Sequence, residues 1–222
     1  MTFRPFANRR EAGRMLAQEI LKLNLMNAVV LALPRGGVPL GYEVAKALGA
    51  PLDVLFVRKI GAPGHEEYGI GALVDGVSPQ VFIDRDIARM VGADEEYIAR
   101  EVERQLAEIE RRRRLYRPGP PVELRGRTAV VVDDGIATGG TARAALQALA
   151  KSGVKAIVLA VAVAPASTLR ELSPLCDRLV CLLSPEPFNA VGAHYTDFAQ
   201  TGDDEVVRLL NAANSAPGSP ES

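Results

Sequence analysis

The sequence predicts an α/β fold, an open parallel sheet with helices on both faces. Two observations carry this. Apolar runs of strand length alternate with segments of helical length along most of the chain. The runs are also apolar without a break, as strands covered on both faces are, where a half-exposed strand would alternate. Proline and glycine mark where they stop: Pro34 ends one run and Gly49 ends the helical segment after it.

The elements follow in order. Ala28–Leu33 reads as a buried strand and Val38–Leu48 as the helix after it. Leu52–Val57 is the next strand, followed by a loop rich in Gly and Pro over Lys59–Gly69. Ile70–Val74 and Gln80–Ile83 pair as short strands around Asp75-Gly76. Thr128–Val132, Ala156–Val163 and Arg178–Leu183 are further strands, with helices at Gly140–Lys151 and Ala166–Leu172. A helical insertion, about 84–117, interrupts the pattern. In it Ile98, Val102, Leu106 and Ile109 line one face of a helix from Asp94 to Tyr116, a stripe that could pack on the core or bury a homodimer contact. The arginines 111–114 close that helix, where the dipole favours cations. They read as a solvated helix end; the functional alternative is a phosphate or nucleic-acid patch. One domain over 1–213 and a small, polar, disordered tail over 214–222 account for the whole chain.

Composition excludes several classes. The net charge of -1 leaves no bulk electrostatic drive toward nucleic acid. The longest apolar run, Ala156 to Ala164, is about half of the roughly 18 residues that suggest a membrane span. The basic first residues lead into no apolar segment, so no signal peptide is expected. Cys176 and Cys181 are expected as buried free thiols, which fits the cytoplasm. With His65 and His194 they are too few and scattered for a zinc site, and His194 is expected to pack or face solvent.

The chemistry concentrates at Asp133-Asp134-Gly135-Ile136-Ala137-Thr138-Gly139-Gly140-Thr141. A buried strand ends in two carboxylates, and small residues then open a helix. Free N–H groups and the dipole at such an N-terminus suit a phosphate, and Thr138 and Thr141 add hydroxyl donors. The carboxylates repel a phosphate but accept hydrogen bonds from vicinal hydroxyls, so a sugar phosphate satisfies both halves. Leu33-Pro34-Arg35-Gly36-Gly37 is a second small-residue loop after a strand. Arg58-Lys59 and Glu67-Tyr68-Gly69 form a third element, and the segment from Phe188 to Phe198 a fourth.

The run Val132–Thr141 resembles the signature of the type I phosphoribosyltransferases, in its adenine-type form, which binds 5-phosphoribosyl 1-pyrophosphate (PRPP). The resemblance implies a type I, Rossmann-like fold in which Asp133 and Asp134 hold the ribose hydroxyls. Gly135, Ala137, Thr138, Gly139, Gly140 and Thr141 would cradle the 5′-phosphate. Hypoxanthine-guanine members carry an aspartate where this chain has Ala137. Arg35, Gly36 and Gly37 resemble the pyrophosphate loop of the xanthine-guanine version. Arg58-Lys59 with Glu67-Tyr68-Gly69 resembles the adenine enzymes, although the loop between them is shorter here. By that likeness Arg58 and Lys59 meet pyrophosphate, Arg35 and Lys59 assist catalysis, and Glu67 accepts the proton. Phe188, Val191 and Tyr195 loosely resemble the base-binding end of hypoxanthine-type members. The expected activity is transfer of phosphoribose from Mg-PRPP to a nitrogenous base, a purine before a pyrimidine. Mg²⁺ would be held largely by PRPP, with no dedicated protein metal site. The alternative is a non-catalytic PRPP- or nucleotide-binding regulator of the same fold. A hydrolase would need a nucleophile–base pair or a metal cluster, and neither is visible.

Overall fold

A computed structural model describes residues 5–75, 79–116 and 122–215. The elements run α1 (Arg9–Leu21), β1 (Ala28–Ala32), α2 (Gly37–Leu48), β2 (Leu52–Val54), β3 (Val57–Ala62), β4 (His65–Val74) and β5 (Gln80–Ile83). There follow α3 (Arg85–Met90), α4 (Glu95–Tyr116), β6 (Thr128–Asp133), α5 (Gly140–Ala150), β7 (Ala156–Val163), α6 (Ala166–Leu172), β8 (Arg178–Leu183) and α7 (Asp203–Asn214).

The main sheet has the order β2-β1-β6-β7-β8 and every pairing is parallel. Its strands are apolar on both sides because both sides are covered. Val30, Ala32, Val130 and Val132 face a core shared with Leu16 and Ile20 of α1, Val44 of α2 and Leu209 of α7. Val29, Leu31, Ala129 and Val131 face Ala145, Leu146 and Leu149 of α5. Each such side chain removed from water contributes roughly 1.5–3 kcal/mol, which offsets the entropy lost in ordering the layers. The chain winds from β1 to β2 in one direction, then returns to lay β6 on the other side of β1. That reversal leaves a crevice at the carboxyl ends of β1 and β6, where open α/β sheets take their ligands.

Two expectations change. The strand from Leu52 stops at Val54, and Val57 starts a separate antiparallel sheet, β3-β4-β5. The Gly/Pro-rich segment 59–69 is a hairpin in that sheet rather than a loop, turning at Gly64 with φ 72. Its glycines serve close strand contact: a Cβ on Gly61 would meet the Glu66 carbonyl oxygen at 2.5 Å. The predicted turn at Asp75-Gly76 falls at residues 76–78, which lie outside the described residues.

Helices α1, α3 and α7 add to the elements read from the sequence. In α1 the buried Ala12, Leu16 and Ile20 are masked by charged neighbours; in α7, Val206, Leu209 and Leu210 follow three acidic residues. Asn214 closes α7, and its side-chain amide bonds both Leu52 N–H (3.2 Å) and Leu52 C=O (2.9 Å). The expected tail therefore does not begin at 214; its residues 216–222 lie outside the described residues.

The stripe on α4 faces inward. Ile98 and Ile109 are buried, and Val102 and Leu106 pack against the same core, so the stripe lends a homodimer no support. Arg111 and Arg112 pair with Glu108, and Arg113 with the buried Asp75, which ties α4 to the end of β4. Cys176 and Cys181 are free and half-buried, and burial raises both thiols. Among the described residues no helix is long and apolar enough to cross a membrane.

Candidate active site

The crevice between β1 and β6 is built from two turns that touch. After β1, Pro34 and Arg35 are joined by a cis peptide bond, and Gly36-Gly37 opens α2. A Cβ on Gly36 would overlap the Asp134 carboxylate, with Cγ only 2.6 Å away; one on Gly37 would lie 2.5 Å from the Val132 carbonyl oxygen. Neither position has room for a side chain, because Asp134 of the second turn fills the space at Gly36 and the β6 backbone fills it at Gly37.

That second turn follows β6. Asp133 is partly open, and its Oδ1 accepts the Asp134 N–H at 2.9 Å. Loss of hydration raises the Asp133 carboxyl well above its ordinary range, and the adjacent Asp134 charge adds to the rise. Asp134 itself is buried. Its Oδ2 accepts Arg9 Nε–H at 2.6 Å, and its backbone carbonyl accepts the Tyr195 hydroxyl at 2.6 Å. Gly135 packs against Val191, whose Cγ2 would lie 2.8 Å from a Cβ there. Gly139 takes φ 78 to start α5, and Thr168 of α6 donates to the Ala137 carbonyl at 2.7 Å. Ala137, Thr138, Gly140 and Thr141 are exposed, as a phosphate-binding turn at a helix N-terminus needs to be.

A cavity of about 650 Å³ joins this turn to the small sheet. Its walls include Thr138, Gly140 and Thr141 on one side and Lys59, Gly69 and Asp84 on the other. Lys59 is exposed along β3 and belongs to this cavity. Arg58, one residue earlier, alternates to the opposite face, where its Nε–H donates to Gln105 of α4 at 2.8 Å. Burial there lowers its pKa, with Arg112 adding. The expected Arg58-Lys59 pair is thus divided, with one cation toward the cavity and the other toward α4. Glu67 lies on β4, and its side chain is outside what is described; Glu66 pairs with Arg104 at 3.3 Å.

Arg35 is half-buried and pairs with Asp203 of α7 at 3.5 Å, and the same Asp203 oxygen accepts the Tyr116 hydroxyl. Burial and then that hydrogen bond push Tyr116 up to about 12, and Asp203 is lowered, chiefly by the Tyr116 bond.

The base-side residues are arranged differently from expectation. Tyr195 is buried between Phe6 (5.3 Å) and Phe198 (5.0 Å), and its ring offers no open stacking surface. Burial raises its phenol, and the Asp134 charge adds. Phe188 is half-buried and stacks on the His194 ring at 5.8 Å, while Val191 abuts the Gly135 turn. Among the described residues no three His, Cys, Asp or Glu side chains converge as a metal cluster.

Sequence reasoning missed Arg9, Tyr116, Thr168 and Asp203. Arg9 follows the helix cap Asn8, which marks a helix start, but nothing local ties it to a carboxylate 125 residues away.

Known proteins resemble this chain in sequence and fold. The phosphoribosyl transferase domain model matches residues 7–196. A Mycobacterium tuberculosis (strain H37Rv) protein named "Putative phosphoribosyl transferase Rv0571c" is 45% identical over 211 residues, covering 94% of this chain and 47% of that protein. The chain thus spans about half the length of this curated relative. The crystal structure of TT1426 from Thermus thermophilus is 40% identical with a TM-score of 0.79, covering 93% of this chain and 97% of that one. The AQ2163 protein from Aquifex aeolicus shares the fold at 16% identity and TM-score 0.50, covering 92% and 85%. With sequence, sheet order and paired turns in accord, the chain belongs to the phosphoribosyl transferase domain family.

Proposed function

We propose that this domain uses Mg-PRPP to ribosylate a nitrogenous base, a purine in preference to a pyrimidine, and releases pyrophosphate. The observation that carries it is the contact between the two turns, with Gly36 against Asp134 at the crevice. It brings the glycine turn after β1 against the acids and small-residue turn after β6, which supports a ligand carrying phosphate on both sides of a sugar.

In this reading Gly135 and Ala137–Thr141 bind the 5′-phosphate through N–H groups and hydroxyls. Asp133 and Asp134 serve the ribose hydroxyls. Gly36, Gly37, Arg35 and Lys59 take the pyrophosphate. The hard oxygen donors of Asp133 suit Mg²⁺, which keeps most of its waters and substrate oxygens and, when bound, neutralises pyrophosphate charge. A base nitrogen forms the new bond to C1 as the C1–O bond to pyrophosphate breaks, with inversion and through an oxocarbenium-like state. The nitrogen's proton passes to a carboxylate, for which Glu67 on β4 is the candidate. Val191, which abuts Gly135, and Phe188 are the candidates for the base side.

The test is pyrophosphate release from Mg-PRPP against a panel of purines, pyrimidines and pyridines. Release that depends on one acceptor supports the reading, and absence of PRPP binding overturns it. A second reading, a PRPP- or nucleotide-binding regulator, draws on Arg35 and Arg58, both engaged by protein groups. Tight PRPP binding without turnover on any acceptor would favour that reading.

A further inference from the structure

We infer that the amino-terminal edge of the main sheet, at the end opposite the crevice, is a docking surface for an acidic polypeptide segment that carries one apolar side chain. The inference goes beyond the reaction proposed above and does not rest on it.

Strands β1, β6, β7 and β8 are parallel neighbours, so the residues that enter them line up along one edge. In strand order these are Met26, two residues before β1, Arg127 before β6, Lys155 before β7, and Arg178, which opens β8. Backbone groups join the row. Thr128 Oγ1 donates to the Met26 carbonyl at 3.2 Å, the Lys155 N–H to the Arg127 carbonyl at 2.8 Å, and the Asp177 N–H to the Ile157 carbonyl at 2.8 Å. Arg125 stands beside them, since the Gly126 N–H donates to the Gly153 carbonyl at 2.9 Å.

Elsewhere on the surface many arginines meet a carboxylate, as Arg100 does at Glu96 and Arg143 at Glu171. Among the described residues no ion pair reaches Arg125, Arg127, Lys155 or Arg178. Arg127 and Arg178 each donate to a backbone carbonyl instead, of Ala28 at 3.0 Å and Asp177 at 2.9 Å. The acids at this edge are turned to backbone as well: Asp177 Oδ2 accepts the Ile157 N–H at 2.7 Å and Glu123 Oε1 the Arg125 N–H at 3.0 Å. Arg127 is half-buried, and its Nε–H is buried without an acceptor among the described residues. A guanidinium in that position has lost hydration without gaining a counter-charge, and an incoming carboxylate supplies one.

At the β1 end the row turns apolar. Met26 is 77% exposed, in a bend where Asn24 and Asn27 both take φ 50, the left-handed backbone that asparagine tolerates. Leu21, at the end of α1, is exposed nearby, and the Asn24 N–H donates to its carbonyl at 3.2 Å. A flexible thioether in water is a ready contact for an apolar side chain.

Size and sign identify the occupant. Neighbouring strands lie about 4.8 Å apart, so the row from Met26 to Arg178 spans roughly 14 Å, about four extended residues. One inorganic anion is too small to meet all of it. Asp177 and Glu123 oppose a phosphate backbone, and Met26 has no match on one. A short acidic stretch led by an apolar residue satisfies both ends. The crevice lies at the carboxyl ends of the same sheet, so a docked segment leaves it open.

The experiment is fluorescence anisotropy with a labelled peptide of one leucine followed by four glutamates, at about 50 mM and about 200 mM salt. Wild type should bind the peptide, and more weakly at the higher salt. Lys155→Glu with Arg178→Glu should lower affinity roughly tenfold or more, and Met26→Ser several-fold. Arg170→Glu with Arg208→Glu makes the same change in net charge at exposed positions elsewhere and should leave affinity unchanged. Saturating pyrophosphate should not displace the peptide. No binding by wild type at low salt, equal losses in both double variants, or displacement by pyrophosphate would each overturn the proposal. So would tighter binding of a single-stranded oligonucleotide of equal charge, which assigns the edge to nucleic acid. Self-association in light scattering that the Lys155 and Arg178 reversals abolish would assign it to a second copy and overturn it too. Thermal melting checks each variant. Should the reversed protein fail to fold, Lys155→Gln with Arg178→Gln takes its place, and an unchanged affinity there overturns the proposal.

Discussion

Gly36 and Asp134 come from different strands and share one space: a methyl group on the first would collide with the carboxylate of the second. The pyrophosphate turn and the sugar acids are therefore not independent modules. A bulkier residue at 36 moves Asp134 and strains its pairing with Arg9, whatever ligand is present.

It follows that Gly36→Ala should weaken PRPP, pyrophosphate and a nucleoside 5′-monophosphate together, and destabilise the fold by about 1–3 kcal/mol through overpacking. Thermal melting with parallel calorimetry checks this. A selective loss of pyrophosphate at unchanged melting temperature would mean that the turn yields without disturbing Asp134.

The small sheet divides two adjacent cations, so their variants should part company. Lys59→Met should cost PRPP binding roughly tenfold or more, since Lys59 lines the cavity with Thr138 and Thr141. Arg58→Met should leave affinity nearly unchanged and loosen α4, where Gln105 keeps Glu101 but loses Arg58. Titration and melting of both proteins give the comparison, and equal binding losses would return Arg58 to the ligand.

Thr168→Val keeps shape and removes the donor to the Ala137 carbonyl. The expected cost is about 0.5–1.5 kcal/mol of stability, the net value of one hydrogen bond, since the exposed Ala137 carbonyl can turn to water. A several-fold loss of phosphate-ligand affinity should accompany it, because the cradle is less well ordered. Unfolding in urea and phosphate titration measure the two effects.

Tyr116 gives a pH prediction with a definite sign. Its folded-state pKa of about 12 lies above the unfolded value of about 10. The contribution is therefore complete below pH about 10 and is lost as pH rises through about 12. Tyr116→Phe should flatten the stability curve in that window and leave Asp203 to Arg35 alone. Urea unfolding at a series of alkaline pH values reads it; an unchanged slope would show that the phenol is not the titrating group.

Glu67→Gln should retain PRPP affinity while turnover falls by roughly 10²–10⁴-fold, the scale of general-base loss. Glu66→Gln should have little effect, since Glu66 pairs with Arg104. The reverse pattern in single-turnover assays moves the role to Glu66, and full activity in both means that the acceptor needs no protein base.

The parallel sheet was legible because burial on both faces writes itself locally: Ala156–Val163 and Arg178–Leu183 emerged with the bounds read from the sequence. So did the Asp133–Thr141 turn, whose residues are contiguous. What escaped was non-local. The hairpin glycines read as a loop because Gly61 exists to admit the Glu66 backbone, a partner visible only in three dimensions. Tyr195 read as a stacking ring, but Phe6 and Phe198 enclose it. Arg58-Lys59 read as a pair because adjacency in sequence is opposition on a strand.

The bonds between Arg9 and Asp134 and between Arg35 and Asp203 span 125 and 168 residues. Contacts of such separation close late in folding, because the loop entropy must be lost before they reward it. The acids and the glycine turn leave the ribosome before Tyr195, Ala199 and Asp203, so a nascent chain can build the centre of its sheet while the crevice is still unfinished. The same dependence operates in the finished protein. Fraying of the segment from Tyr195 to α7 would release Arg35 from Asp203 and leave Arg9 with Asp134 alone, loosening the crevice while β1, β6 and β7 stay paired, so that local opening, rather than global unfolding, is the first threat to whatever the site does.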